Sequence, residues 1–92
     1  MIGSFKCPHT EALSKGRNVR KFTAISRVAR RKLRQLEIAN TLEDLRIPPG
    51  NRLEALKGRL AGRYSIRINE QWRICFRWFE GAAFDVEIID YH

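Results

Sequence analysis

No apolar run in this chain approaches the roughly 20 residues a helix needs to cross a bilayer, so no membrane role is expected. The stretch Met1-Ile2-Gly3-Ser4-Phe5-Lys6 lacks the hydrophobic core of a secretory signal, which sets a cytoplasmic expectation. Cysteine is scarce. Cys7 and Cys75 lie far apart and form no CxxC or metal-ligand spacing, so both are expected to be reduced thiols packed as small apolar groups. With only His9 and His92 besides, a transition-metal site is not expected. There is no Gly-rich phosphate loop and no Gly-x-Ser-x-Gly elbow, and nothing in the sequence calls for a cofactor. Internal repeats and low-complexity linkers are also missing. The 92 residues make one expected domain, 1–92, with a single modest core.

One further absence concerns acid. Between Lys15 and Arg34 there are nine Lys or Arg and no Asp or Glu. A solvated helix face normally mixes both signs, because opposite charges at i,i+4 help it. A face of one sign costs self-repulsion and points to a polyanionic partner, either nucleic acid or an acidic protein. The net charge of +8 has the same sense.

Pro8-His9-Thr10-Glu11 reads as a helix start with Thr10 as N-cap, and Gly16 as its stop. Asn18 is placed to cap the next element. Phe22, Ile25, Ala29, Leu33 and Leu36 then recur at spacings of three and four, predicting an amphipathic helix from about Val19 to Ala39. Its other faces carry Arg20, Arg27, Arg30, Arg31 and Arg34. Thr41-Leu42-Glu43-Asp44 resembles a short capped turn. Pro48-Pro49-Gly50 breaks regular structure, and 51–62 reads as a loop anchored by Leu53 and Leu56.

From Tyr64 onward the period changes to two. Tyr64, Ile66 and Ile68, then Trp72, Ile74, Phe76 and Trp78, then Phe84, Val86 and Ile88 alternate with smaller or charged residues. Three half-buried strands in an antiparallel meander follow, joined at Asn69-Glu70-Gln71 and Glu80-Gly81. Ile2 to Lys6 suggests one more short strand. Even-numbered residues should face the helices, and an open face should carry Arg67, Arg73 and Arg77 beside Asp85 and Glu87. The predicted class is α+β, with two N-terminal helices on one face of a small twisted antiparallel sheet.

The last strand leads into Asp90-Tyr91-His92. His moves protons near neutral pH, Asp can orient it, and Tyr can hydrogen-bond or stack on a base. This inventory around an open arginine-bearing face suits RNA cleavage, where the substrate's own 2′-OH is the nucleophile. The protein then has to take up its proton, stabilise charge on phosphate and protonate the leaving 5′-oxygen. The bland counterparts are cross-strand pairing of Arg67, Arg73 or Arg77 with Asp85 or Glu87, and a solvated strand end. Non-catalytic RNA or ribosome binding is the alternative function. DNA binding ranks lower, because no helix-turn-helix pair is visible.

Four stretches together resemble the HigB-type killer toxins of the RelE superfamily. They are Asn51-Arg52-Leu53-Glu54-Ala55-Leu56-Lys57-Gly58, Gly62-Arg63-Tyr64-Ser65-Ile66-Arg67-Ile68, Gln71-Trp72-Arg73-Ile74-Cys75-Phe76 and Val86-Glu87-Ile88-Ile89-Asp90-Tyr91-His92. The likeness is strong over about the last 45 residues, and fits by length and pattern before them. It implies a RelE-like microbial RNase fold and the toxin of a type II toxin–antitoxin pair. Such a toxin enters the ribosomal A site and cuts mRNA without a metal. Its expected partner is a helix-turn-helix antitoxin of the HigA type, which alone would contact operator DNA. Catalytic roles carry over to Asp90, Tyr91 and His92. Arg73 carries over as a phosphate clamp and Lys57 as a second cation. Some family members have a catalytic His where this chain has Glu54. Glu can act as a general base but supplies no cation. Arg67, Arg77, Arg27, Arg30, Arg31 and Arg34 complete the expected RNA- and ribosome-binding set.

Overall fold

A computed structural model describes residues 1–91. Helices α1 (Pro8–Ser14), α2 (Ser26–Ile38) and α3 (Leu42–Arg46) pack on one face of an antiparallel sheet. Its strands are β1 (Glu54–Ala55), β2 (Arg63–Arg67), β3 (Trp72–Phe79) and β4 (Ala82–Asp90), in the spatial order β1-β2-β3-β4. The predicted class holds, with a third short helix and a fourth short strand added. Among the described residues no helix is long and apolar enough to cross a membrane.

The core lies where the two periodicities meet. Leu13, Phe22, Ala29, Leu33, Leu36 and Leu45 from the helical side pack against Ile66, Ile74, Phe76, Val86 and Ile88 from the sheet. Burying each large side chain contributes about 1.5–3 kcal/mol. Trp72 lies partly buried against this cluster, with its ring edge-on to Phe22 at 5.5 Å.

Several local expectations are corrected. Thr10 does not cap α1; Cys7 holds that position, and Thr10 sits buried inside the helix. Its hydroxyl accepts a 3.0 Å hydrogen bond from the Ile88 N–H of β4, so it joins α1 to the sheet. The helix expected over Val19–Ala39 is two elements: a 3₁₀ segment, Arg20–Ile25, and then α2. The Thr23 and Ser26 hydroxyls donate to the Arg20 and Thr23 carbonyls, competing with the α-helical ladder. Phe22 and Ile25 are buried all the same, because a spacing of three also fits a 3₁₀ turn. Asn18 makes no cap; Val19 stands at that position. At Thr41 the capping box is present, with Asp44 as the reciprocal partner. Gly16 ends the first helical region in the left-handed conformation, φ +84°.

In the sheet, Glu80 and Gly81 both have positive φ (47° and 78°), the conformation a two-residue hairpin requires. The Asn69 side chain accepts from the N–H groups of Gln71 and Trp72 and fixes the β2–β3 turn. A register shift between Cys75 and Arg77 bulges β4 at Asp85, which has φ +52°. The Asp85 N–H is taken up by the Ser4 hydroxyl. Parity therefore slips on β4. Val86 and Ile88 face the helices, but before the bulge Ala83 does so, and Phe84 pairs with Arg77 instead. The stretch from Ile2 is not a full strand: it makes isolated parallel bridges, Ile2 to Ala83 and Phe5 to Val86. Nor is the second sheet face uniformly open, for Ser65, Arg73 and Cys75 are all buried in it.

The two thiols differ sharply. Burial, with Glu87 nearby, pushes the Cys75 thiol up to about 11. Burial also works to raise Cys7, but hydrogen bonds from Thr10 and His9 and the charge of Lys21 outweigh it, leaving this thiol below its ordinary value. At pH 8 Cys75 therefore carries about a hundredth of the thiolate of an ordinary cysteine. Because the folded chain holds that proton longer than the unfolded one, this group's contribution to stability falls as pH rises from about 9 to about 11. Iodoacetamide followed by mass spectrometry should label Cys7 in the native protein and Cys75 only after denaturation. Equal labelling rates would show that the sheet does not shield Cys75.

Candidate active site

The site is built around Arg73, the second residue of β3. In register it lies opposite Arg67 of β2 and Ile89 of β4. Its guanidinium is buried, with the side chain 9% exposed. The Arg fork carries five N–H groups, and three neighbours engage it. Nε donates to the Ser65 hydroxyl at 2.8 Å and Nη2 to the Arg52 carbonyl at 2.7 Å. Nη1 lies 3.1 Å from Glu54 Oε1. The Tyr91 ring stacks with its centroid 5.4 Å from the guanidinium carbon. Pairing of Glu54 with Ser65 in the β1–β2 register explains why the carboxylate reaches Arg73. Two of the sequence candidates, Glu54 and Tyr91, are thus brought to Arg73.

Asp90 lies opposite Trp72 and accepts a 3.0 Å hydrogen bond from the Gln71 side chain. The next N–H, of Tyr91, donates to the Gln71 carbonyl at 2.6 Å. Gln71 thereby holds the end of β4 through both backbone and side chain. His92 lies outside the described residues. Lys57 is exposed, just before the 3₁₀ turn Gly58–Leu60, and forms no ion pair among the described residues.

Outside this cluster the arginines divide. Arg77 is tied to Asp85 at 2.8 Å, as cross-strand pairing predicts, whereas Glu87 takes Arg63 at 3.1 Å and Lys6 at 3.5 Å. Arg67 is half-buried, with Glu70 at 3.9 Å. On α2, Arg27, Arg31 and Arg34 are exposed. Arg30 is a strap instead: Nη2 donates to the Arg17 carbonyl at 2.8 Å and Nε to the Leu13 carbonyl at 3.4 Å. No cluster of three or more metal-ligating side chains occurs among the described residues.

Three participants were missed from the sequence. Ser65 occupies an odd, polar position of β2, and only the register reveals that its hydroxyl meets Arg73. Arg52 contributes its carbonyl through a left-handed turn, φ 44° and ψ 58°. Lys32 is buried on α2, and its Nζ donates to the carbonyls of Arg67 (2.6 Å) and Gly50 (3.3 Å). Its signal was present, since Lys32 continues the helical spacing Ile25, Ala29, Leu36 on the core face. Burial, with Arg31, Arg67 and Arg73 nearby, pulls its ammonium below the usual lysine range.

A family model described as the RelE-like toxin of type II toxin–antitoxin system HigB matches residues 14–92. The chain belongs to the HigB-like toxin family. Toxin HigB-1 of Vibrio cholerae is 55% identical over 53 residues, covering 58% of this chain and 56% of that protein. An uncharacterized protein of Haemophilus influenzae is 38% identical over 52 residues, covering 56% and 52% respectively. The chain thus spans about half the length of the curated relatives it matches. Two solved structures share the fold of this HigB-like chain. YafQ from E. coli superposes with a TM-score of 0.56 at 13% identity, over 98% of this chain and 93% of that one. The YoeB dimer of Staphylococcus aureus gives 0.55 at 20% identity, over 99% and 97%.

Proposed function

We propose that this HigB-like chain is a ribosome-dependent mRNA endoribonuclease that inhibits translation. The observation that carries the reading is the buried Arg73 guanidinium, fixed on Ser65 and the Arg52 carbonyl, with the half-exposed Glu54 carboxylate on its third contact. A carboxylate and a phosphate present similar oxygen acceptors to an arginine fork. A scissile phosphate can therefore take the place of Glu54 and find its counter-charge already oriented. Tyr91, stacked on the same guanidinium, positions the adjoining nucleotide. Lys57 supplies a second cation from the neighbouring loop.

The 2′-OH of the substrate acts as nucleophile. His92 protonates the 5′-oxygen as it leaves, and Asp90 orients that imidazole or takes up a proton. Glu54, once displaced from Arg73, lies beside the phosphate and is the proposed base. None of these steps calls for a metal or cofactor. A ribosomal substrate places the activity in the cytoplasm. The proposed protein partner is a HigA-type helix-turn-helix antitoxin, through which operator DNA is reached, and the bulk RNA contact is assigned to Arg27, Arg31 and Arg34 on α2 with Arg67 and Arg77.

The test is cleavage of mRNA on programmed ribosomes by the purified chain. Cut products should appear with ribosomes and not with free mRNA. Tight ribosome binding without cut products would favour the non-catalytic binding module. Replacing Arg27, Arg31 and Arg34 with Gln should flatten the salt dependence of binding by about 0.7 per lost phosphate contact. Arg30 is left in place because it straps α2 to the preceding loop. An unchanged slope would assign the basic face to an acidic protein instead.

A further inference from the structure

Lys32 is a buried ammonium with no carboxylate partner among the described residues: its partners are two carbonyls, and the nearby charges of Arg31, Arg67 and Arg73 are of its own sign. A methionine or leucine would fill the space without desolvating a charge. The amine is therefore explained by what its donors hold. One carbonyl belongs to Arg67, at the end of β2 and opposite Arg73. The other belongs to Gly50, in the 3₁₀ turn Pro49–Asn51 that leads into Arg52 and Glu54.

A second tether lies one residue on. Asn51 is fully buried, and its Nδ2 donates to the Gln35 side chain and to the Leu45 carbonyl, both at 3.0 Å. Lys32 and Gln35, three residues apart on α2, thus grip successive residues of the turn. Immediately after that grip Arg52 is left-handed, a conformation unfavourable for a residue with a side chain, which persists only where its surroundings impose it. That turn aims the Arg52 carbonyl at Nη2 of Arg73, and two residues later Glu54 meets Nη1.

We infer that Lys32 is a positioning residue: by joining the Gly50 and Arg67 carbonyls it sets the separation between the 49–54 segment and the sheet at which the Arg52 carbonyl and Glu54 meet the Arg73 guanidinium. The consequence for catalysis rests on the endoribonuclease reading above; the geometric part does not. Lys32 touches no substrate in this scheme and acts only through Arg73.

The experiment compares Lys32→Met, which keeps most of the side chain's length and apolar stem and removes its donors, with Lys32→Gln, which keeps an amide donor. Two readouts separate the inference from the function it rests on. The first is the nitrogen NMR spectrum of the Arg73 guanidinium, which needs no substrate. Lys32→Met should shift its N–H resonances and speed their exchange with water, with Lys32→Gln intermediate. The second is single-turnover cleavage on saturating programmed ribosomes. The rate should fall at least tenfold in Lys32→Met while ribosome affinity stays within about twofold. A residue that merely stabilised the fold would lower the thermal midpoint and leave both readouts of the folded protein unchanged. Wild-type Arg73 resonances in either folded variant would overturn the inference, and so would a wild-type cleavage rate. If the unmodified chain cuts nothing, the endoribonuclease reading fails, and the NMR comparison still decides whether Lys32 sets the Arg73 geometry. Should Lys32→Met not fold, Lys32→Gln carries both measurements.

Discussion

Arg73→Met should slow mRNA cleavage by about 10²–10³-fold, the loss expected when one preorganised donor to a developing anion is removed. The substitution keeps an apolar stem and discards the fork. It strands Glu54, and it leaves the buried Ser65 hydroxyl and the part-buried Arg52 carbonyl short of a donor. Each buried group left unsatisfied costs about 1–3 kcal/mol, so the thermal midpoint should fall as well. Arg73→Lys separates these effects. Lysine keeps the charge, but its three donors sit on one point and cannot reach three partners laid out for a planar fork. It should recover part of the stability and little of the rate. The measurement is single-turnover cleavage on programmed ribosomes, with ribosome affinity and thermal midpoint in parallel. A rate within threefold of wild type in Arg73→Met would make the guanidinium scaffolding for the loop, and the phosphate contact would pass to Lys57.

His92→Gln should lower the same rate by about 10²–10⁴-fold, the usual loss for a general acid or base. Glutamine keeps hydrogen-bonding capacity and cannot titrate. Affinity for the ribosome should change far less than the rate. If His92 moves the proton, one limb of the wild-type pH–rate profile should vanish in the variant. Asp90 is a less clean probe. Gln71 grips its side chain and the following N–H, so removing the carboxylate would loosen the end of β4 along with any chemistry. A wild-type rate in His92→Gln would transfer proton movement to Glu54 and Asp90. Poor binding with normal cleavage once bound would make Asp90-Tyr91-His92 a docking element.

The sheet was legible because its alternation extends over whole strands, with Ile66, Ile74, Phe76 and Ile88 repeating one signal. What escaped was decided by contacts distant in sequence. The bulge at Asp85 leaves no mark in the hydrophobic pattern, because Ala83 and Phe84 are both apolar and exchange faces. Strand β1 is two residues long, too short for any period to register. Thr10 looked like a cap because Thr before an acid usually is one; its real partner is 78 residues away. Around Arg73 the motif pointed to the residue, and the register was needed to show that Ser65 and a backbone carbonyl hold it. Lys32 was hidden by its neighbours: within a run of nine basic residues, one that turns inward looks like the rest.

The pairing of Ile2 with Ala83 and of Phe5 with Val86 has a consequence for when this protein can mature. The β2–β3–β4 meander closes through short hairpins and can form early, whereas contacts spanning most of the chain form slowly. Ile2 and Phe5 therefore have to wait for partners made about eighty positions later. The Thr10 contact to Ile88 imposes the same delay. Tyr91 reaches Arg73 later still. A chain not yet extended through β4 lacks the bridge to Ile2 and Phe5 and the stacked arginine, so the cluster around Arg73 assembles only after β4 and Tyr91 have been made.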